Sequence, residues 1–207
     1  MYSISTVKDE KCLKEVFNFL SSLFYEDALE NNEHYYTMSD RSEEMKRTFE
    51  IDKDFLMYIE DNDKIIAALT GKSLDLNKGK ITIGVIGVSN SYRRKGIAKL
   101  LITEFENRCL EKNIKHIDLG ARFRACPLYL DLNYKPSLMI QVFDFSTIDD
   151  IRKNNKFNFR ELSSYQSDSY GFIFYEIDEV KEEYIKWFEQ SVKTAHAQFI
   201  FEKDLEV

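Results

Sequence analysis

The sequence predicts an α/β (mixed α+β) fold, with a central mixed sheet flanked by helices and a small α+β extension at the C-terminal end. Two observations predict it. A strand-like run, Lys80 to Val88, ends in the basic, Gly-containing turn Arg93-Arg94-Lys95-Gly96 and feeds an amphipathic helix from Ile97 to Lys112. Around that unit, short alternating or apolar runs are separated by helical stretches, the order that builds a sheet with helices packed against it.

The elements follow in order. Tyr2 to Val7 alternates polar and apolar residues and reads as a first strand. Asp9 is placed to cap a helix to about Phe24, with Leu13, Val16, Phe17, Leu20 and Leu23 on one face. Tyr25 to Met38 is acidic and aromatic without clean periodicity and reads as loop. Ser39 or Asp40 opens a charged helix to about Glu50, with Glu43 and Glu44 in the turns that favour acids. Phe55 to Glu60 and Lys64 to Leu74 are strands joined by the hairpin signal Asp61-Asn62-Asp63. The helix from Ile97 turns Leu100, Leu101, Phe105 and Leu110 inward. His116 to Ala121 is a short strand, Arg122 to Leu132 holds a short helix, and Ser137 to Phe145 is another strand. A strand, a helix and a further strand without a hairpin imply a parallel right-handed crossover.

Residues 146 to 207 then read as a helix at Thr147–Asn154, strands at Phe157–Ser163 and Tyr170–Ile177, a helix at Val180–Gln190 and a strand at His196–Lys203. Val180, Tyr184, Trp187 and Phe188 form a stripe expected to pack on the last two strands. The expected division is therefore residues 1–145 and an extension, 146–207, suited to dimer contacts or to walling a substrate site.

Composition excludes several classes. The chain of 207 residues carries a net charge of −7 and no long basic face, which argues against nucleic-acid binding. Its apolar runs are too short to cross a bilayer, and its start lacks the basic and apolar segments of a signal peptide, so no membrane role is expected. Cys12, Cys109 and Cys126 form an odd set without metal-ligand spacing, which points to a reducing cytoplasm and to no metal site. Neither a Walker loop nor a dinucleotide glycine fingerprint occurs.

The turn at Arg93 is the chemical signal. The first amides of a helix lack intrahelical partners, and the dipole adds partial positive charge there, so a diphosphate can be gripped by main-chain N–H groups. Gly96 lets it come close.

Ile86-Gly87-Val88-Ser89-Asn90-Ser91-Tyr92-Arg93-Arg94-Lys95-Gly96-Ile97-Ala98 resembles the acetyl-CoA-binding motif of the GNAT superfamily of N-acetyltransferases. Arg93, Gly96 and Ala98 occupy its Arg/Gln, Gly and Gly/Ala positions, and Val88 its strand end. The resemblance covers roughly residues 1 to 145. It implies that acetyl-CoA is the co-substrate, bound by Ile86, Gly87, Val88, Arg93, Arg94, Lys95, Gly96, Ile97 and Ala98. Its pantetheine arm would pair with the backbone of Ile86 and Val88 like an added strand, where the flanking strands splay.

Ala125-Cys126-Pro127-Leu128-Tyr129-Leu130-Asp131-Leu132-Asn133-Tyr134 resembles the family's second motif, with Asn133 replacing the helix-ending Gly. By that resemblance Tyr129 is the general acid that protonates the departing thiolate. The strand Lys80–Gly87 holds no acid, so the family's frequent glutamate base cannot be carried over. A water relay, a carboxylate near Glu26-Asp27 and an amine arriving neutral stay open. Asp118 alternates to the polar side of its strand and stays open as a partner, with a structural hydrogen bond its more ordinary role. His34, His116 and His196 show no pairing pattern of a base, though by the resemblance His34 lies in the acidic loop bordering the acceptor pocket, and Cys126 has no neighbouring His to make it a nucleophile. Glu26, Asp27, Glu30 and Glu33 with Tyr25, Tyr35 and Tyr36 would suit a cationic amine acceptor. The expected function is thus direct N-acetylation of an amine. The alternative is a non-catalytic acyl-CoA-binding module of the same fold.

Overall fold

The computed structural model describes residues 2–30, 39–167 and 170–206. His34, Glu33, Tyr35 and Tyr36, named above for the acceptor side, lie outside the described residues. Two compact units emerge: Met1–Ile117 with Asp204–Val207, and Asp118–Lys203.

In the first unit, β1 (Ile4–Thr6), β2 (Leu56–Asp61), β3 (Lys64–Asp75) and β4 (Lys80–Val88) pair antiparallel in that order. β2 and β3 are joined by Asn62 and Asp63, both at positive φ (51° and 57°), the mirror-image turn whose twist matches two right-twisted strands. β5 (His116–Ala121) neighbours β4, and both strands start at one place: the Gly79 carbonyl accepts from the amides of Lys115 and His116, at 2.8 and 3.0 Å. Strands that start together and leave together are parallel, with α3 (Ile97–Glu111) as the crossover.

Helix α1 (Glu10–Glu30) is capped as the sequence predicts, Asp9 Oδ1 accepting from the Cys12 amide at 2.8 Å. It runs six residues past Phe24, so Tyr25 to Glu30 are helix and not loop. The buried series Leu13, Val16, Leu20, Leu23 and Asp27 shows why. The apolar stripe continues by one more turn through a polar residue, and a hydropathy reading stops where that residue stands. α2 (Ser39–Asp52) is the expected charged helix. Val16, Leu20, Leu56, Ala68 and Val85 share one core, the first four fully buried and Val85 nearly so.

One irregularity reshapes β4. Val85 pairs with Thr70, yet Ile83 pairs with Gly71, so Gly84 is an extra residue on β4. A bulge of this kind bends and twists the strand. It also switches faces. Ile81 lies with Phe105 of α3 against Gly71, whereas Val85 and Gly87 turn to α1.

In the second unit the strand order is β5-β9-β6-β8-β7. β6 (Lys135–Val142) pairs antiparallel with both β9 (His196–Asp204) and β8 (Tyr170–Glu176), and β7 (Glu161–Ser167) pairs with β8. The boundary drawn at residue 145 therefore falls inside this unit: β6, read as the last strand of the first segment, takes both neighbours from the extension. β7 begins four residues later than expected, because Phe157 and Phe159 serve a cluster instead. Phe157 meets Tyr184 edge-on at 4.8 Å, Phe159 meets it at 4.9 Å, and Phe188 of α6 (Glu182–Ser191) stacks on Tyr175 at 5.7 Å. Trp187 donates Nε1–H to the Asn154 carbonyl at 2.8 Å. α4 (Cys126–Asp131) and α5 (Ile148–Lys153) complete this unit.

Candidate active site

The segment from Val88 to Lys99 combines the features of an anion grip. β4 ends at Val88, a single turn of 3-10 helix spans Asn90–Tyr92, and Arg93 returns to extended backbone at φ −64°, ψ 157°. Arg94 (φ 62°) and Gly96 (φ 78°) then both take the left-handed conformation. For Arg94 that costs about 1 kcal/mol, which a glycine would escape. Such reversals point successive amides to one side of the chain.

The first helical hydrogen bond closes from the Leu100 amide to the Gly96 carbonyl at 2.9 Å. The amides of Ile97 and Ala98 precede it and have no intrahelical acceptor. Gly96 caps with no side chain, and the first turn carries no acid. A Cβ on Gly96 would meet no atom within 4 Å, so space lies open above the turn, but its φ of +78° disfavours any side chain there. Arg93, Arg94, Lys95 and Gly96 are exposed; Ile97 is buried and contributes its amide alone, while Ala98 is half-buried.

The strand end is oriented by register. Val88 is opposite Ala67, Ile86 is opposite Leu69, and the next residue, Ser89, donates to the Ile66 carbonyl at 2.8 Å. Main-chain groups alternate in direction along a strand, so those of Ile86 and Val88 point away from β3. Gly87 does something else. Its buried side faces α1, and a Cβ there would stand 2.7 Å from Leu23 Cδ2 and 3.0 Å from Leu20 Cδ2. The glycine expected at the cofactor is thus demanded by helix packing.

Arg93 is the largest departure from the expectation of loose positive charge. Its Nε donates to the Val88 carbonyl at 3.0 Å, and both terminal nitrogens lie 3.3 Å from Asp27 Oδ1. Asp27 is only 5 % exposed. A carboxylate counted above as available for a base or a cationic acceptor is therefore already matched to a guanidinium. Glu30, from the same series, accepts from Asn90 Nδ2 at 3.2 Å. Tyr92 donates its hydroxyl to Asp61 Oδ2 at 2.7 Å, which raises the phenol pKa, and carries Lys95 over its ring at 4.9 Å. These contacts tie the turn to α1, to the β2–β3 hairpin and to β4. Sequence reasoning missed the ties to α1 and the hairpin, since those partners lie 31 to 66 residues away. The one local sign was an acid at a core position of α1.

In the second unit, Tyr129 is 3 % exposed, with Phe201 at 5.4 Å and Tyr134 at 5.9 Å between ring centroids. Burial, with Cys126 adding to it, holds its proton more tightly than in water. Asn133 ends α4 at φ +61°, with the Tyr134 amide bonded back to the Tyr129 carbonyl at 3.0 Å. The exchange of Gly for Asn therefore keeps the helix stop. Cys126 is buried, its thiol donating to the Arg122 carbonyl at 3.4 Å, and burial pushes its pKa up to about 12. His116 is paired with Asp204 at 2.8 Å and His196 with Glu189 at 3.1 Å.

The profile of the Acetyltransferase (GNAT) family matches residues 17–134, more than half of the chain. The chain belongs to the GNAT acetyltransferase family. Its members transfer acyl groups from acetyl-CoA, and this member has the family's mixed α/β fold with a mostly antiparallel sheet flanked by helices.

Solved structures agree on the fold. A GNAT-family acetyltransferase of Staphylococcus aureus Mu50 is 15 % identical with a TM-score of 0.52, covering 84 % of this chain and 99 % of that one. The ribosomal-protein-S18-alanine N-acetyltransferase of Escherichia coli is 14 % identical at 0.50, covering 88 % and 97 %. The N-acetylglutamate synthase of Neisseria gonorrhoeae, solved with coenzyme A and N-acetyl-glutamate, is 10 % identical at 0.50, covering all of this chain and 36 % of its own. No curated protein sequence matches the chain. Among the described residues of this GNAT protein, no group of side chains is arranged to hold a metal ion, and no helix is long and apolar enough to cross a membrane.

Proposed function

We propose that this protein transfers the acetyl group of acetyl-CoA directly to an amine in the cytoplasm. The observation that carries the reading is the uncapped start of α3: the amides of Ile97 and Ala98 without intrahelical acceptors, a left-handed Gly96 with open space above it, and basic residues around it. The diphosphate of the cofactor sits on the amides of Ile97 and Ala98, with Arg94 and Lys95 adding charge. The pantetheine arm runs along Ile86 and Val88 as an extra strand. Because the Val88 carbonyl already accepts from Arg93, the arm takes its bonds from the Val88 amide and from Ile86.

The amine nitrogen attacks the thioester carbon and the C–S bond breaks; in the role the resemblance gives Tyr129, the phenol protonates the departing thiolate, and the proton released by the acylated nitrogen returns to the phenolate through water. Burial keeps Tyr129 protonated across the working range, the state a donor needs. With Asp27 engaged by Arg93 and no acid on β4, the amine proton leaves to water or the amine arrives neutral. The acceptor is a primary amine. Preference for a cationic one rests on exposed Glu26 alone among the described acids of that segment, since Asp27 and Glu30 have partners.

Calorimetry with coenzyme A and thiol release from acetyl-CoA with a panel of amines test the reading together. Binding with amine-dependent thiol release is expected. Binding without release for any amine would favour the second reading, a cofactor-binding module, for which the acid-free β4 speaks. No binding would end both.

A further inference from the structure

Arg93 and Asp27 form a unit whose chemistry the anion grip does not absorb. Three of the guanidinium's donor positions point inward: Nε to the Val88 carbonyl, and both terminal nitrogens to one oxygen of Asp27. Asp27 is nearly fully buried, while the Arg93 side chain is 41 % exposed. A buried carboxylate is held there only if a cation matches it, so the pair is a fixture of the fold and not a surface contact free to exchange. Its three attachment points are the last turns of α1, the end of β4 and the turn itself. Asn90, three residues before Arg93, repeats the link through Glu30.

We propose that Asp27 is a positioning residue for cofactor binding: by holding Arg93 against the Val88 carbonyl, it fixes the turn that presents the α3 amides. Arg93 then acts as a clamp on the main chain, and the charge facing the diphosphate comes from Arg94 and Lys95. This rests on the cofactor site proposed above.

The clamp makes a prediction of opposite sign to the simpler idea of Arg93 as a phosphate ligand. If Arg93 touched phosphate, Asp27 would compete for it, and Asp27→Asn would strengthen cofactor binding. If Arg93 clamps the chain, Asp27→Asn loosens the turn and weakens binding. The experiment is calorimetric titration of coenzyme A into wild type, Asp27→Asn, Arg93→Gln and the double variant, with KM for acetyl-CoA and kcat wherever turnover is measurable. Asp27→Asn is expected to bind about tenfold more weakly, the loss of one charge-assisted contact. The double variant should be no weaker than Arg93→Gln, and KM should rise while kcat holds.

Asp27→Glu should recover part of the loss, which a general loss of stability would not. Should Asp27→Asn fail to fold, Arg93→Lys decides. Lysine keeps the charge but cannot reach two acceptors with a planar fork, so the clamp expects weakened binding and a phosphate contact expects retained binding. Tighter or unchanged affinity in Asp27→Asn, or unchanged affinity in Arg93→Lys, overturns the proposal while leaving the cofactor site standing. Wild type that binds no coenzyme A would instead remove the site itself.

Discussion

Two strand-to-helix exits in this chain share a plan and differ in what they offer. After β4, one 3-10 turn leads to α3; after β5, one 3-10 turn leads to α4. The first exit is capped by left-handed Gly96, and its basic residues are exposed. The second is capped by Ala125 in right-handed conformation, has Pro127 in its first turn and buries Cys126 and Tyr129. Pro127 gives up an amide that an anion site would need. The shared plan is therefore neutral scaffolding: one exit carries a left-handed glycine and exposed basic residues, while the other carries a proline and a buried phenol.

The hardest test of that contrast is Tyr129→Phe. Removing the phenolic oxygen should lower turnover by about 10²–10⁴-fold, the usual worth of a positioned acid, while coenzyme A binds as before. Turnover equal to wild type would reduce Tyr129 to an aromatic of the core beside Phe201.

Next in size is the other exit. Gly96→Val forces a β-branched residue to φ +78° and places methyl groups in the open space over the turn. A cost of about 1–2 kcal/mol for left-handed backbone is expected, with coenzyme A affinity falling tenfold or more. If the melting temperature drops while affinity holds, the glycine serves the turn and not the ligand.

These two sites were legible in the sequence to different depths. The order of β4, turn and α3, the hairpin at Asn62-Asp63 and the stop at Asn133 are written in local chemistry: periodicity, turn residues and a tolerated positive φ. What stayed hidden depends on distant partners or on register. Gly84 is a glycine in a strand like Gly87, yet one makes a bulge and the other admits a helix, and only the pairing with Thr70 and Gly71 distinguishes them. Asp27 read as part of an acidic loop because its partner Arg93 lies 66 residues on. β6 pairs with strands from beyond residue 145, and strand pairing at that range leaves no local trace.

Cys126 sharpens the second exit at a smaller scale. With its pKa pushed up to about 12 by burial, its thiolate fraction near pH 8 is of the order of 10⁻⁴, against a sizeable fraction for a free thiol. Iodoacetamide at pH 8 should therefore leave Cys126 unmodified in the folded protein, and Cys126→Ala should keep turnover within a few-fold of wild type. Trapping of an acetyl-thioester on Cys126 would replace direct transfer with a relay.

The smallest effect comes from the far end of α3, which is tied down where its start is open. Lys112, at the C-terminal cap, donates to Asp52 at 2.5 Å and lies 2.8 Å from Asp54, a cation where the helix dipole favours one. The hydrogen bond from Lys112 holds the Asp54 carboxyl below its ordinary range. A lowered folded pKa means the contribution is complete above the unfolded value, near pH 4, and is lost as pH falls through the folded one. Asp54 is nearly half exposed, so solvent screens the pair and its worth is about 0.5 kcal/mol. Asp54→Asn should thus melt slightly below wild type at pH 7, and the two should converge as pH falls below the ordinary carboxyl range and the wild-type carboxyl takes up its proton. A gap that stayed the same as pH fell would show that Asp54 acts through shape and not charge, and coenzyme A affinity at pH 7 should be untouched, since this anchor is at the opposite end of α3 from the amides of Ile97 and Ala98.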